Sequence, residues 1–174
     1  MEKELQTIKE NIRRAAAKAG RKEEEILLLG VSKTKPYTML REAYQCGIRD
    51  FGENKVQEIR EKYERMTEDP LMQEDRPHFH MIGNLQKNKV KYLPGKVCLI
   101  HSVDSVSLAE SIEKEYGKKG ETARILLEVN VAKEESKSGF MPESLEEAVS
   151  AIETFSHIEV TGLMTVAPFT ENPE

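Results

Sequence analysis

The chain predicts an α/β fold built on a parallel sheet, and three observations carry that prediction. Along its 174 residues, six short apolar runs alternate with stretches whose apolar residues recur every three or four positions. One run, Ile125 to Val131, is nearly continuous in apolar residues, as strands covered on both faces are. Strands separated by helices pair in parallel through right-handed crossovers, whereas antiparallel neighbours need only tight turns.

The elements follow in order. Leu5, Ile8, Ile12, Ala16 and Ala19 mark one face of an opening helix closed by Gly20. Residues 26 to 31 read as the first strand; Pro36 stops it and can open a helix over 37 to 46, which ends at Gly47. Ile48 to Phe51 is a short second strand. Val56, Ile59, Tyr63 and Met66 stripe the next helix, and residues 67 to 77, with Pro70 and Pro77, read as a loop. Phe79 to Ile82 is the third strand, before a lysine-rich helix from Leu85 to Leu93. Val97 to His101 is the fourth. Val106, Ala109, Ile112 and Tyr116 stripe a helix ending near Gly117. Ile125 to Val131 is the fifth strand. Pro142 opens a helix striped by Leu145, Ala148, Val149 and Ile152, and Ile158 to Val166 is the sixth strand.

This order begins both an open doubly wound sheet and a (β/α)8 barrel. No Gly-x-Gly-x-x-Gly follows the first strand and there is no P-loop, which argues against a dinucleotide-binding sheet. Barrels usually take about 250 residues. Residues 1–174 are read as a single domain, and they stop in Pro168 to Glu174, just after the sixth strand.

Composition narrows the function. With 38% hydrophobic residues the chain can bury a sizeable core, and a net charge of −5 argues against a general nucleic-acid binder. No apolar run is long enough to span a membrane, and Met1 to Leu5 lacks the apolar core of a signal peptide. Cys46 and Cys98 are too few and too distant for a disulfide framework, so a reduced cytoplasm is the expected compartment. The absence of Trp speaks against a stacking platform for single strands.

The most informative stretch is Val31-Ser32-Lys33-Thr34-Lys35-Pro36. A lysine where a strand ends and a helix starts lies on the face where barrels bind ligands. Beside low-dielectric walls its charged form is disfavoured, and its amine can attack carbonyl compounds. The ordinary reading is a solvated basic loop. In extended backbone Lys33 and Lys35 would point the same way, so one is expected to reach a ligand or carboxylate and the other solvent. Phe51-Gly52-Glu53-Asn54 closes the second strand on the same rim; ordinarily Asn54 would cap the helix and Glu53 would complement its dipole. His78 and His80 share a strand face and His101 ends the next strand. This allows a zinc-hydrolase reading in which Asp104 is the only acidic candidate. The run Asn84 to Lys89 could bind phosphate or a partner, and Ser136-Lys137-Ser138-Gly139 could cradle an anion. Gly162 permits close backbone approach, and Met164 could pad a flat ligand or simply fill the core.

Taken in order, Val31–Pro36, Phe51–Asn54, His80–Lys89, His101–Asp104, Ser136–Gly139 and Gly162–Met164 resemble the pyridoxal 5′-phosphate homeostasis protein family across nearly the whole chain. The resemblance implies a barrel like the N-terminal domain of alanine racemase, with pyridoxal 5′-phosphate held as a Schiff base on Lys33. Asn54, His80 and Met164 match family positions near the cofactor ring, and Lys35 and Lys137 match family lysines near the site. It implies a cofactor carrier for vitamin B6 balance without established turnover, serving pyridoxal-phosphate-dependent apo-enzymes. A monomer is expected. Family members continue for about a quarter more chain, which supplies the last two strands of the barrel and a serine-rich phosphate loop. The expectation here is therefore a barrel truncated after about six strands.

Three other functions are weighed against the carrier. A racemase needs acid–base groups on both substrate faces, and its lysine is followed by Ala-Asn-Ala-Tyr-Gly where this chain has Thr34-Lys35-Pro36. A metal hydrolase would use the histidines. A pure interaction module would bind neither cofactor nor metal.

Overall fold

The structure, a computed structural model, describes residues 1–133 and 138–166. Among the described residues, β1 (Leu29–Val31), β2 (Asp50–Glu53), β3 (His78–Met81), β4 (Leu99–Val103), β5 (Ala123–Glu128) and β6 (Ile158–Met164) form one parallel sheet. Each strand lies beside its predecessor in the order β1-β2-β3-β4-β5-β6. That order separates the two architectures that the alternation of elements alone left open, and it is the one the family resemblance implied. A doubly wound sheet reverses direction at a switch point, whereas a (β/α) barrel adds each strand to the last. The connecting helices are α2 (Tyr37–Gln45), α3 (Val56–Glu68), α4 (Val106–Gly117) and α5 (Leu145–Ile152), preceded by α1 (Glu2–Lys18).

Helices cover one face of the sheet. Phe51, Phe79, Met81, Ile100, Ile125 and Leu127 meet Leu40, Ile59, Met66, Leu108, Ile112 and Ile152 there, all buried in one cluster. Each such side chain contributes about 1.5–3 kcal/mol by leaving water. The other face carries the alternate residues. Leu29, Gly52 and Ile82 share it, since a Cβ on Gly52 would lie 2.8 Å from Ile82 and 3.1 Å from Leu29. By strand alternation and register, Val31, Asp50, His78 and His80 belong to the same face.

Several expectations change. β5 is not buried on both faces: Ala123, Ile125 and Leu127 are buried, while Arg124 is exposed and Leu126 and Glu128 are half-buried. Its helix-free face carries a charge at each end of the apolar run, so alternation is the better description. β1 begins only at Leu29, and Leu27 is 62% exposed. The opening helix forms, but it buries only Leu5 and Ala16 and leaves Ile8 outside. The lysine-rich segment is a 3-10 helix over Lys87–Tyr92, not an α-helix. Val90 and Leu93, three apart, are both buried, a spacing that suits three residues per turn. Residues 67 to 77 contain the end of α3 and a 3-10 turn, Pro70–Met72. No helix among the described residues is long and apolar enough to cross a membrane.

Candidate functional site

β1 ends at Val31 and Pro36 caps α2, so Lys33 sits in the connecting turn at the carboxyl end of the strand. The backbone there is not extended. Lys35 N–H donates to Ser32 C=O at 3.0 Å, and Thr34 has φ +62. A positive φ on a β-branched residue is strained, by about 1–3 kcal/mol. The turn also removes the extended backbone on which a shared direction for Lys33 and Lys35 rested. Lys35 lines a groove of about 400 Å³ on the helix side, with Tyr37, Glu58, Glu61 and Arg65. Lys33 is exposed, rather than set against apolar walls, and makes no hydrogen bond or ion pair among the described residues.

The turn is held from below by a buried charged network. Lys62, on α3, donates to Ser32 C=O at 2.7 Å, to Glu53 Oε1 at 2.6 Å and to Glu58 Oε2 at 3.2 Å. Glu58 Oε2 accepts the strained Thr34 N–H at 2.7 Å, and Ser32 Oγ donates to Glu53 Oε1 at 2.6 Å. Glu53 is therefore not a first-turn helix charge: it is fully buried in β2. Burial pushes its carboxyl above the ordinary range even though Lys62 and Ser32 pull it down, and its Oε2 has no hydrogen-bond partner among the described residues. Burial acts the same way on Glu58, but Thr34 N–H and Lys62 prevail and hold it below its ordinary value. Lys62, Glu53 and Glu58 thus fix the backbone on both sides of Lys33 while leaving its amine free.

The rest of the rim comes from neighbouring loops. Asn54 follows β2; it is half-buried and does not cap α3, whose N-cap is Lys55. Gly83, after β3, passes so close that a Cβ there would lie 2.6 Å from Asn54 Cα and from its carbonyl oxygen. Asn54, Asn84, Gln86 and Lys89 line a polar cleft of about 220 Å³. Asn84 Nδ2 donates to Ser138 Oγ at 3.3 Å, which brings the loop after β5 onto this rim. Gly139 in that loop has φ +118, and a Cβ would meet Asn130 N and Glu128 O at 2.9 Å. Met164 is the last residue of β6, half-buried and in register with Glu128. Lys137 lies outside the described residues. Lys33, Asn54 and Met164 therefore all stand at the carboxyl ends of their strands.

His80 is placed differently. It lies mid-sheet in β3, only 3% exposed, with both ring nitrogens engaged. Nδ1 is 2.8 Å from His101 Nε2, while Nε2 is 3.1 Å from Asp50 Oδ1 and from Cys98 Sγ. Burial lowers the basicity of both histidines, and His101, beside His80, falls to about 4. The acidic neighbour of the histidines is Asp50 and not Asp104.

Sequence reasoning passed over Lys62, Glu58 and Asp50. One signal was available: Lys62 falls among Ile59, Tyr63 and Met66 on the striped face of α3, where a lysine must find a buried anion.

The family model for "Alanine racemase, N-terminal domain" matches residues 4–174, which defines the class: a barrel of that type with a lysine at the end of its first strand. Among solved structures, an alanine racemase of Clostridium difficile shares the fold, with a TM-score of 0.67 at 17% identity over 90% of this chain and 38% of that one. PipY of Synechococcus elongatus, solved with pyridoxal phosphate bound, has a TM-score of 0.75 at 31% identity over 91% of this chain and 71% of its own. A relative named pyridoxal phosphate homeostasis protein, from Aquifex aeolicus, is 45% identical over 98% of this chain and 72% of its own length. Another of that name, from Pseudomonas aeruginosa, is 36% identical over 93% and 71%. The chain belongs to the pyridoxal phosphate homeostasis protein family.

Proposed function

We propose that this protein carries pyridoxal 5′-phosphate covalently on Lys33, for intracellular vitamin B6 homeostasis and without catalytic turnover. The observation that carries the reading is the Lys33 turn. A strained backbone is pinned by buried Lys62 and Glu53 and by half-buried Glu58, and the amine it presents at the rim has no competing partner among the described residues. Strain of this kind persists where the surroundings over-determine it. The relatives' name and the bound cofactor in PipY support the choice of ligand.

When bound, the cofactor supplies an aldehyde that one primary amine captures and another displaces. The chain's own residues do the rest. Lys33 offers the amine. Asn54 and Met164 stand on the rim where they can orient a flat ring, Asn84 and Ser138 belong to loops suited to an anion, and Lys137 matches a family lysine near the site. Lys35, turned to the helix side, adds positive charge nearby. His80 stands in the layer below, its ring nitrogens engaged by His101, Asp50 and Cys98. Exchange of amines is enough for a carrier, and pyridoxal-phosphate-dependent apo-enzymes are its recipients. We place the protein in the cytoplasm, as a monomer.

The test is to mix the pure protein with pyridoxal phosphate, reduce with borohydride and map the modified lysine by peptide mass spectrometry. One label per chain at Lys33, lost in Lys33→Ala, is expected. Label scattered over surface lysines would overturn the assignment.

A further inference from the structure

We propose that Asp50, His80 and Cys98 form a binding site for a divalent cation of the zinc class, on the helix-free side of the sheet and away from the Lys33 rim. Nothing in this inference depends on the cofactor reading.

The donor set is the first argument. Asp50 Oδ1, His80 Nε2 and Cys98 Sγ lie within 4.8 Å of one another. A carboxylate, an imidazole and a thiolate together select zinc-like ions over calcium or magnesium, which prefer oxygen alone. Geometry is the second. His80 Nε2 stands 3.1 Å from both Asp50 Oδ1 and Cys98 Sγ. Ordinary zinc bond lengths put the edges of a tetrahedral site at about 3.3–3.6 Å, so these two edges need to open by only a few tenths of an ångström, and the third, between Asp50 Oδ1 and Cys98 Sγ, is no longer than 4.8 Å.

The surroundings suit coordination. His80 is buried, and its far nitrogen, Nδ1, is held 2.8 Å from His101 Nε2. Metal-binding histidines are commonly oriented by such a second bond. Asp50 is steadied by His78 Nδ1 at 3.2 Å, and Cys98 N–H donates to Phe79 C=O at 2.9 Å. The charges balance: the carboxylate and the thiolate neutralise the dication, and Cys98 releases its proton on binding. Arg124, whose charge reaches both His80 and Cys98, has its own anion in Glu159 at 3.7 Å. Three protein donors leave a fourth position for solvent or an added ligand.

Cobalt(II) gives the readout. The protein, free of pyridoxal phosphate, is titrated with Co²⁺, and Zn²⁺ is then added as competitor. The expected result is one equivalent bound, with visible bands of tetrahedral cobalt and a near-ultraviolet thiolate-to-cobalt absorption, both removed by Zn²⁺. Cys98→Ser should lose the thiolate absorption, whereas Cys46→Ser, at the other free thiol, should keep it. Asp50→Asn should weaken binding at least 10-fold, and circular dichroism establishes that each variant is folded. If Cys98→Ser does not fold, the thiolate absorption of the parent chain and the Asp50→Asn affinity decide. Absence of that absorption, clearly less than one equivalent, or unchanged affinity in Cys98→Ser or Asp50→Asn would overturn the site.

Discussion

At the scale of single residues, the site depends on contacts that only small side chains permit. Gly83 lets two rim loops meet, because any Cβ there would fall 2.6 Å from Asn54 backbone. Backbone cannot yield as a flexible side-chain tip can. Gly83→Ala should therefore destabilise the fold by about 1–3 kcal/mol and reduce cofactor labelling at Lys33 by displacing Asn54. Urea unfolding and the borohydride assay measure the two effects; an unfolding free energy equal to that of the parent would refute the close approach. Lys33 itself was legible in the sequence, since an apolar run, a lysine and Pro36 in that order mark a strand's carboxyl end. Its side chain's independence from Lys35 was not, because the turn at Thr34 adopts a conformation that threonine rarely takes.

At the scale of elements, α3 is the support for β1. Its Lys62 crosses to the Ser32 carbonyl and to Glu53 on β2, so one helix ties together two strands and the turn between sheet and α2. Removing one partner of a buried ion pair strands the other, at about 3–5 kcal/mol. Lys62→Met should cost that much in denaturant unfolding, and adding Glu53→Gln should recover part of it. A loss no larger than about 0.5 kcal/mol, typical of an exposed site, would mean that the network does not hold the turn. The helical stripe of α3 was readable from Val56, Ile59 and Met66. The role of Lys62 was not, because a glutamate four residues before a lysine usually marks a solvent-exposed pair. Likewise the 3-10 helix of Lys87–Tyr92 passed for an α-helix, since apolar residues three apart serve either geometry.

At the scale of the whole molecule, stability should follow pH through the contact that joins α4 to the start of β6. Glu113 accepts from His157 N–H at 2.7 Å, lies 2.8 Å from His157 Nδ1 and accepts from Ser156 N–H at 3.3 Å. Burial alone would raise its carboxyl, but these partners hold it below the ordinary 4.5. A carboxyl depressed by folding means that the unfolded chain binds the proton more readily. Its contribution is complete above 4.5 and is lost as pH falls through the lower folded value. The stability gap between the parent and Glu113→Gln should be about 1 kcal/mol near neutrality and shrink toward zero near pH 3 in urea titrations. A gap that stays constant would assign the effect to packing.

The sequence by itself determined the alternation of strands and helices, the parallel pairing that follows from it, and the rim position of Lys33 and Asn54; that Met164 ends its strand came from the structure. The features determined by sequence are local consequences of hydrophobic period, Pro and Gly placement, and strand ends. Only the tertiary structure decided the sequential strand order, the pairing of Lys62 with Glu53, and the meeting of Asp50, His80 and Cys98. These join residues on different elements: Glu53 Oε1 is reached from Ser32 and Lys62, and His80 from Asp50, Cys98 and His101. Periodicity states which face of an element a side chain takes. Which neighbour waits on that face is set by register between strands, and register is fixed only when the whole sheet packs.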